Sequence, residues 1–116
     1  MRALNASEIQ IQEAIVKWLR TALDCRVCPI PNGGKRTRWQ QLQTKREGME
    51  RGAPDLFVIW SDGPEPRVLF IECKTDKGRL SDEQKAWRED ATRYGHDYLV
   101  ARSLDDVRSY FTGESP

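Results

Sequence analysis

The chain reads as a single domain of the α/β or α+β class, with elements in the order α-β-(α)-β-β-α-β-α and a mixed sheet of about four strands. Three observations predict this. Two nearly continuous apolar runs, DLFVIW at 55–60 and RVLFIECK at 67–74, have the composition of strands buried on both faces, and turn formers separate them. Residues 7–23 repeat apolar side chains at helical spacing. The length, 116 residues, fits one domain and is enough to enclose a core without disulfides or a structural metal.

The first helix spans 7–23, with Ser7 as N-cap, Glu8 at the positive end of the dipole, and Ile11, Ile15, Trp18, Leu19, Ala22 and Leu23 on one face. Residues 25–30 form a short strand, stopped by Pro31, Asn32, Gly33 and Gly34. A marginal helix over 35–47, with Trp39 and Leu42 three apart, ends at Gly48, and Trp39 is expected in the core rather than on a nucleic-acid base. The two apolar runs pair as a hairpin across a loop at 61–66 (SDGPEP). Ser81 and Gln84 form a capping box for a helix reaching Tyr94, and Gly95 closes it. Residues 96–101 are the last strand, and Ser103, with Asp106 three residues on, opens a helix through Tyr110 and Phe111. A frayed tail, 112–116, follows.

Apolar residues make up 38% of the chain and charged residues 32%, so the surface is densely charged. The net charge of +1 decides nothing about partners, but its distribution does. Residues 31–53 carry six cations against two anions, and residues 54–72 carry one cation against four anions. A basic segment therefore abuts an acidic one. Three cysteines and the lack of an apolar leader or spanning run argue for a reduced, cytoplasmic setting without membrane. Cys25 and Cys28 lack the further ligands a zinc site needs and read as small hydrophobes.

The informative residues are polar ones where apolar ones belong. Glu72 and Lys74 end the second run and project from one face, beside Val68 and Phe70. In a hairpin, Asp55 at the start of the first strand lies beside Glu72 at the end of the second. Two converging carboxylates need a cation, and hard oxygen donors select Mg²⁺ or Mn²⁺. With Lys74 to stabilise charge on a phosphate, the set suits phosphodiester hydrolysis. Glu8 shares a stripe with Ile11, Ile15 and Leu19, which turns it inward, although a first-turn acid also serves the helix dipole. Gln84 heads a stripe with Trp87 and Ala91, and the capping box explains it equally well.

Pro54-Asp55 followed by Glu72-Cys73-Lys74 resembles the PD-(D/E)XK nuclease signature. The stretches SEIQIQEAIVKWL, PNGGKR, GAPDLFVI, VLFIECKTDKGRLSDEQKAW and YGHDYLVARSLDDV together resemble its virus-type replication-repair branch, the VRR-NUC family, and most of all its stand-alone phage members. The resemblance implies a restriction-endonuclease-like α/β core in which Asp55, Glu72 and the backbone carbonyl of Cys73 hold Mg²⁺ or Mn²⁺, and no organic cofactor. It implies that Lys74 is catalytic, that Glu8 helps position metal and water, and that Gln84 orients the lysine or the phosphate. The Cys73 side chain departs from the usual aliphatic one but points to the opposite face and is no nucleophile.

Beside such a site, Lys35, Arg36 and Arg38, after a glycine-rich turn, with Lys45, Arg46 and Arg51, are candidate phosphate contacts, and Lys77 and Arg79 are further ones. The expected function is a structure-selective DNA endonuclease similar to Holliday-junction resolvases, acting as a homodimer in the cytoplasm, or host cytoplasm for a phage protein. Trp60, Tyr110 and Phe111 are the expected dimer contacts. A flap, nick, single-strand or packaging nuclease is one alternative, and an inactive DNA-binding module on the same fold is another.

Overall fold

The computed structural model describes residues 6–31 and 37–113. Four helices and four strands alternate as α1 (Glu8–Ala22), β1 (Arg26–Pro29), α2 (Arg38–Arg46), β2 (Leu56–Asp62), β3 (Glu65–Cys73), α3 (Asp82–Arg93), β4 (Asp97–Ala101) and α4 (Leu104–Thr112). The element order expected from the sequence is the one observed, and the fold is α/β.

The sheet has the order β1-β2-β3-β4. β1 and β2 are antiparallel, as are β2 and β3, whereas β3 and β4 run parallel through the α3 crossover. The hairpin turn is tighter than its six-residue sequence signal: pairing continues to Asp62 opposite Glu65, leaving Gly63 and Pro64 between them. Gly63 takes φ +58°, and proline fixes the next φ near −65°, the combination a type II′ turn requires. β1 is a short edge strand ending in Pro29, which lacks an N–H and blunts that edge against further pairing.

Alternation along the strands sets two faces. On one, Val27, Leu56, Val58, Leu69, Ile71, Cys73 and Ala101 are buried against Ile11, Ile15 and Leu19 of α1 and Val107 of α4. Trp60, Tyr110 and Phe111 pack there as well. Phe111 lies 4.9 Å from Trp60 and 6.1 Å from Trp18, ring centre to ring centre. They extend the core, so they are not surplus to it as the sequence suggested. Ala22 is exposed rather than part of the α1 core face.

The second face carries Phe57, Ile59, Val68, Phe70 and Glu72 of β2 and β3, with α3 laid across its β4 side: Trp87 meets the Phe70 ring at 5.1 Å, and Ala91 is buried. α2 begins at Arg38, three residues after the expected start, because the hydroxyl of the N-cap Thr37 and the Gln40 side chain form a capping box. Trp39 is 68% exposed, so it is not a core residue, and among the described residues α2 packs against no other helix or strand.

Candidate active site

The carboxyl ends of β3 and β4, the N-terminus of α1 and the first turn of α3 converge on one place. There the hairpin register sets Asp55, just before β2, opposite Glu72, since Leu56 pairs with Ile71. The Asp55 Oδ2 accepts the Cys73 N–H at 2.8 Å, so this carboxylate is held by the neighbouring strand. Glu72 is only 2% exposed, and its Oε1 has no hydrogen-bond partner. Burial first, then the hydrogen bond and charge of Asp55, push its carboxyl up to about 9, with Glu8 adding to the rise and Lys74 opposing it. Glu72 therefore senses the three residues expected to gather with it, Glu8, Asp55 and Lys74.

Their settings differ. Lys74 follows β3, is half-buried, and stays registered because its N–H donates to the Ala101 carbonyl at 3.0 Å. Glu8 is exposed at the first turn of α1 rather than turned into the core. Gln84 forms the capping box: its Oε1 accepts the Ser81 N–H at 2.8 Å, while the Ser81 hydroxyl accepts the Gln84 N–H at 3.2 Å. The Cys73 side chain lies fully buried on the opposite face, and burial pushes its thiol up to about 12, which removes it as a nucleophile at neutral pH. Among the described residues no three His, Cys, Asp or Glu side chains gather as a metal-holding group, so side chains alone do not complete a coordination shell.

Close packing fixes the approach to Asp55. Gly52 has φ +81°, and a Cβ there would stand 2.5 Å from the Glu83 backbone carbon and 2.8 Å from the Gln84 nitrogen. The segment before Asp55 thus lies directly on the first turn of α3. Glu50 adds a second tie, its carboxylate accepting the Trp87 indole N–H at 3.2 Å.

Sequence reasoning missed two residues. The Arg102 guanidinium donates from Nη1 to the carbonyls of Thr75 at 2.7 Å, Asp76 at 3.2 Å and Gly78 at 2.7 Å, binding together the loop that leaves Lys74. Its own N–H donates to Asp106 at 2.8 Å, so Asp106 caps the turn from Arg102, and the Ser103 side chain makes no cap bond. The Tyr98 hydroxyl is buried without a partner, and burial and the nearby Glu72 charge raise its pKa. A cation immediately after an apolar strand was the available signal for Arg102. Nothing in the local pattern singles out Tyr98, whose place follows from the parallel register with Phe70.

Of the candidate phosphate contacts, Arg38, Lys45 and Arg46 are exposed on α2, Arg51 on the loop after it, and Lys77 and Arg79 on the loop after Lys74. Lys35 and Arg36 lie outside the described residues.

A four-stranded mixed sheet with an acid before one strand and a Glu-x-Lys at the end of its hairpin partner is similar to the core of PD-(D/E)XK nucleases, the type that the family match below implies. Within that class the chain matches the VRR-NUC domain over residues 6–105 and belongs to the VRR-NUC family, whose nucleases generally use a divalent metal. A solved structure titled "VRR_NUC domain protein" shares the fold with a TM-score of 0.70 at 23% identity, covering 97% of this chain and 89% of its own. No curated protein matches. No helix among the described residues is long and apolar enough to cross a membrane.

Proposed function

We propose that the chain is a structure-selective DNA endonuclease that hydrolyses phosphodiester bonds with Mg²⁺ or Mn²⁺ and acts as a cytoplasmic homodimer on branched DNA of the four-way-junction type. The observation that supports it most is a buried Glu72 carboxylate, with one oxygen unsatisfied, set against Asp55. Such a pair is costly as it stands and fits a divalent cation, because both donors are hard oxygens. Asp55, Glu72 and the Cys73 carbonyl would hold the ion, and water and phosphate would supply the remaining ligands. When bound, the metal neutralises the carboxylates and lowers the pKa of coordinated water.

The chain's own residues do the rest. Lys74, held at the strand end, stabilises negative charge on the scissile phosphate and orients the attacking water. Glu8, at the open rim, accepts a hydrogen bond from that water. The Oε1 of Gln84 is committed to its cap, so its NH₂ end is the part that meets phosphate or Lys74. Arg51, Lys77 and Arg79 flank the site as backbone contacts and fix register without reading sequence. Paired cuts across a symmetric junction need two active sites, which a twofold dimer supplies.

The test is cleavage of labelled four-way junction, flap, nicked, duplex and single-stranded DNA in Mg²⁺, Mn²⁺ or EDTA by wild type and Lys74→Ala. Metal-dependent symmetric cutting of the junction is expected, slowed at least about 100-fold in Lys74→Ala. Junction binding without cleavage by either protein would make this a binding module instead. A preference for flaps or nicks would replace the junction reading while keeping the chemistry.

A further inference from the structure

Helix α2 carries a pattern that neither a core nor a plain solvated surface explains. At about 100° per residue, Arg38, Trp39, Leu42, Lys45 and Arg46 fall within an arc of about 120°, while Gln40, Gln41 and Gln43 lie outside it. Both large apolar residues of this arc face water: Trp39 is 68% and Leu42 55% exposed. A face made for the core would not interleave three cations, and a face made for water would not place a tryptophan and a leucine there.

The helix is also tethered to the elements that build the site. Three residues separate Arg46 from Glu50, a span of at most ~14 Å, and Glu50 is bonded to Trp87. Trp87 in turn covers Phe70, two residues before Glu72 on the same face of β3. α2 is thus tethered on the side of the sheet that carries the Asp55–Glu72 pair.

An occupant must offer anions and flat apolar surface together. A second copy laid face to face across a twofold axis would set three cations against three cations. Nucleic acid has both features, but a fully paired duplex keeps its base faces inside the stack. We infer that α2 is a stacking platform for an unpaired base next to the cleavage site, with Trp39 against the base, Leu42 beside it, and Arg38, Lys45 and Arg46 on the flanking phosphates. This rests on the DNA reading above and narrows it: the preferred substrate has an unpaired or readily unstacked nucleotide near the scissile bond.

The experiment measures binding in EDTA, where no cleavage occurs, so that it stands apart from catalysis. Wild type, Trp39→Ala and Trp39→Phe are titrated against a paired duplex and against the same duplex with a short unpaired segment carrying 2-aminopurine. Wild type should prefer the gapped DNA about tenfold and change the 2-aminopurine fluorescence on binding. Trp39→Ala should lose that preference and the fluorescence change while its duplex affinity moves less than about twofold. Trp39→Phe should keep most of both. Equal loss of affinity for both DNAs, or an unchanged fluorescence response in Trp39→Ala, would overturn the platform. Conversion of a dimer to a monomer by Trp39→Ala, read by light scattering, would also overturn it and give the face to a second copy. Because Trp39 is exposed, circular dichroism of the variants should match wild type. Failure of Lys74→Ala to reduce cleavage would count against the catalytic assignment and leave these binding results standing.

Discussion

Replacing Glu72 by Gln should stabilise the metal-free protein, and the gain should grow with pH. The buried carboxyl has its pKa raised from the ordinary 4.5 to about 9, chiefly by burial and then by Asp55. A folded-state value above the unfolded one means that stability from this group is fully present below pH 4.5 and is lost as pH rises towards 9. At about 1.4 kcal/mol per pH unit, the loss is about 1 kcal/mol by pH 5 and about 3 kcal/mol by pH 7, a difference of about 2 to 3 kcal/mol. Glutamine has the same shape, cannot ionise, and keeps an N–H for Asp55. The change in the stability difference between the two proteins from pH 5 to pH 7 therefore reads the titration of the Glu72 carboxyl. Thermal unfolding in EDTA should show the Glu72→Gln protein gaining about 10 °C more over wild type at pH 7 than at pH 5, at about 4 °C per kcal/mol. Saturating Mn²⁺ should reverse the order by stabilising only wild type. A difference that does not change between pH 5 and pH 7, or a Glu72→Gln variant less stable than wild type at pH 7, would refute the reasoning.

Arg102→Ala should cost about 2 kcal/mol, seen as a lower midpoint in urea, because three carbonyls of the 75–78 loop lose their shared donor. Arg102→Lys should recover only part, since the shorter side chain places its ammonium short of the Nη1 position from which all three bonds are made. Gly52→Ala should cost about 2 kcal/mol or more and reduce cleavage more than DNA binding, because φ +81° and a 2.5 Å approach to Glu83 force the Asp55 segment off α3. Replacing Arg38, Lys45 and Arg46 together by Gln should flatten the dependence of log affinity on log salt by about 2 to 3, measured by anisotropy on duplex DNA.

Which parts of this arrangement were legible in the chain follows from how local each signal is. The convergence of Asp55 and Glu72 was readable because an antiparallel hairpin ties the start of one apolar run to the end of the next, whatever the turn length. The turn itself was read too long, since Ser61, Asp62, Glu65 and Pro66 are turn formers by composition yet pair as strand once Gly63 and Pro64 close a type II′ turn. Trp39 and Leu42 have helical spacing, but spacing reports a shared face and not what lies against it. Trp60, Tyr110 and Phe111 looked surplus to the core for the converse reason: their partners, including Trp18, are distant in sequence. Arg102 and Tyr98 act across the parallel β3–β4 pair, whose register depends on the α3 crossover and cannot be counted along the chain.

The two faces of β3 explain how one strand carries both stability and a costly site. Leu69, Ile71 and Cys73 are each fully buried on one side, so α1 and α4 hold the strand in place through them. Phe70, Glu72 and then Lys74 alternate onto the other, where burial of a carboxylate with an unsatisfied oxygen works against folding. Because the alternation is strict, slipping β3 by one residue would put Glu72 and Lys74 into the α1–α4 core and expose Ile71. The apolar face therefore does more than offset the acid: it fixes the register in which Asp55, Glu72 and Lys74 can meet. A divalent cation held as proposed above would offset the unfavourable burial of Glu72 that the strand's packing leaves in place.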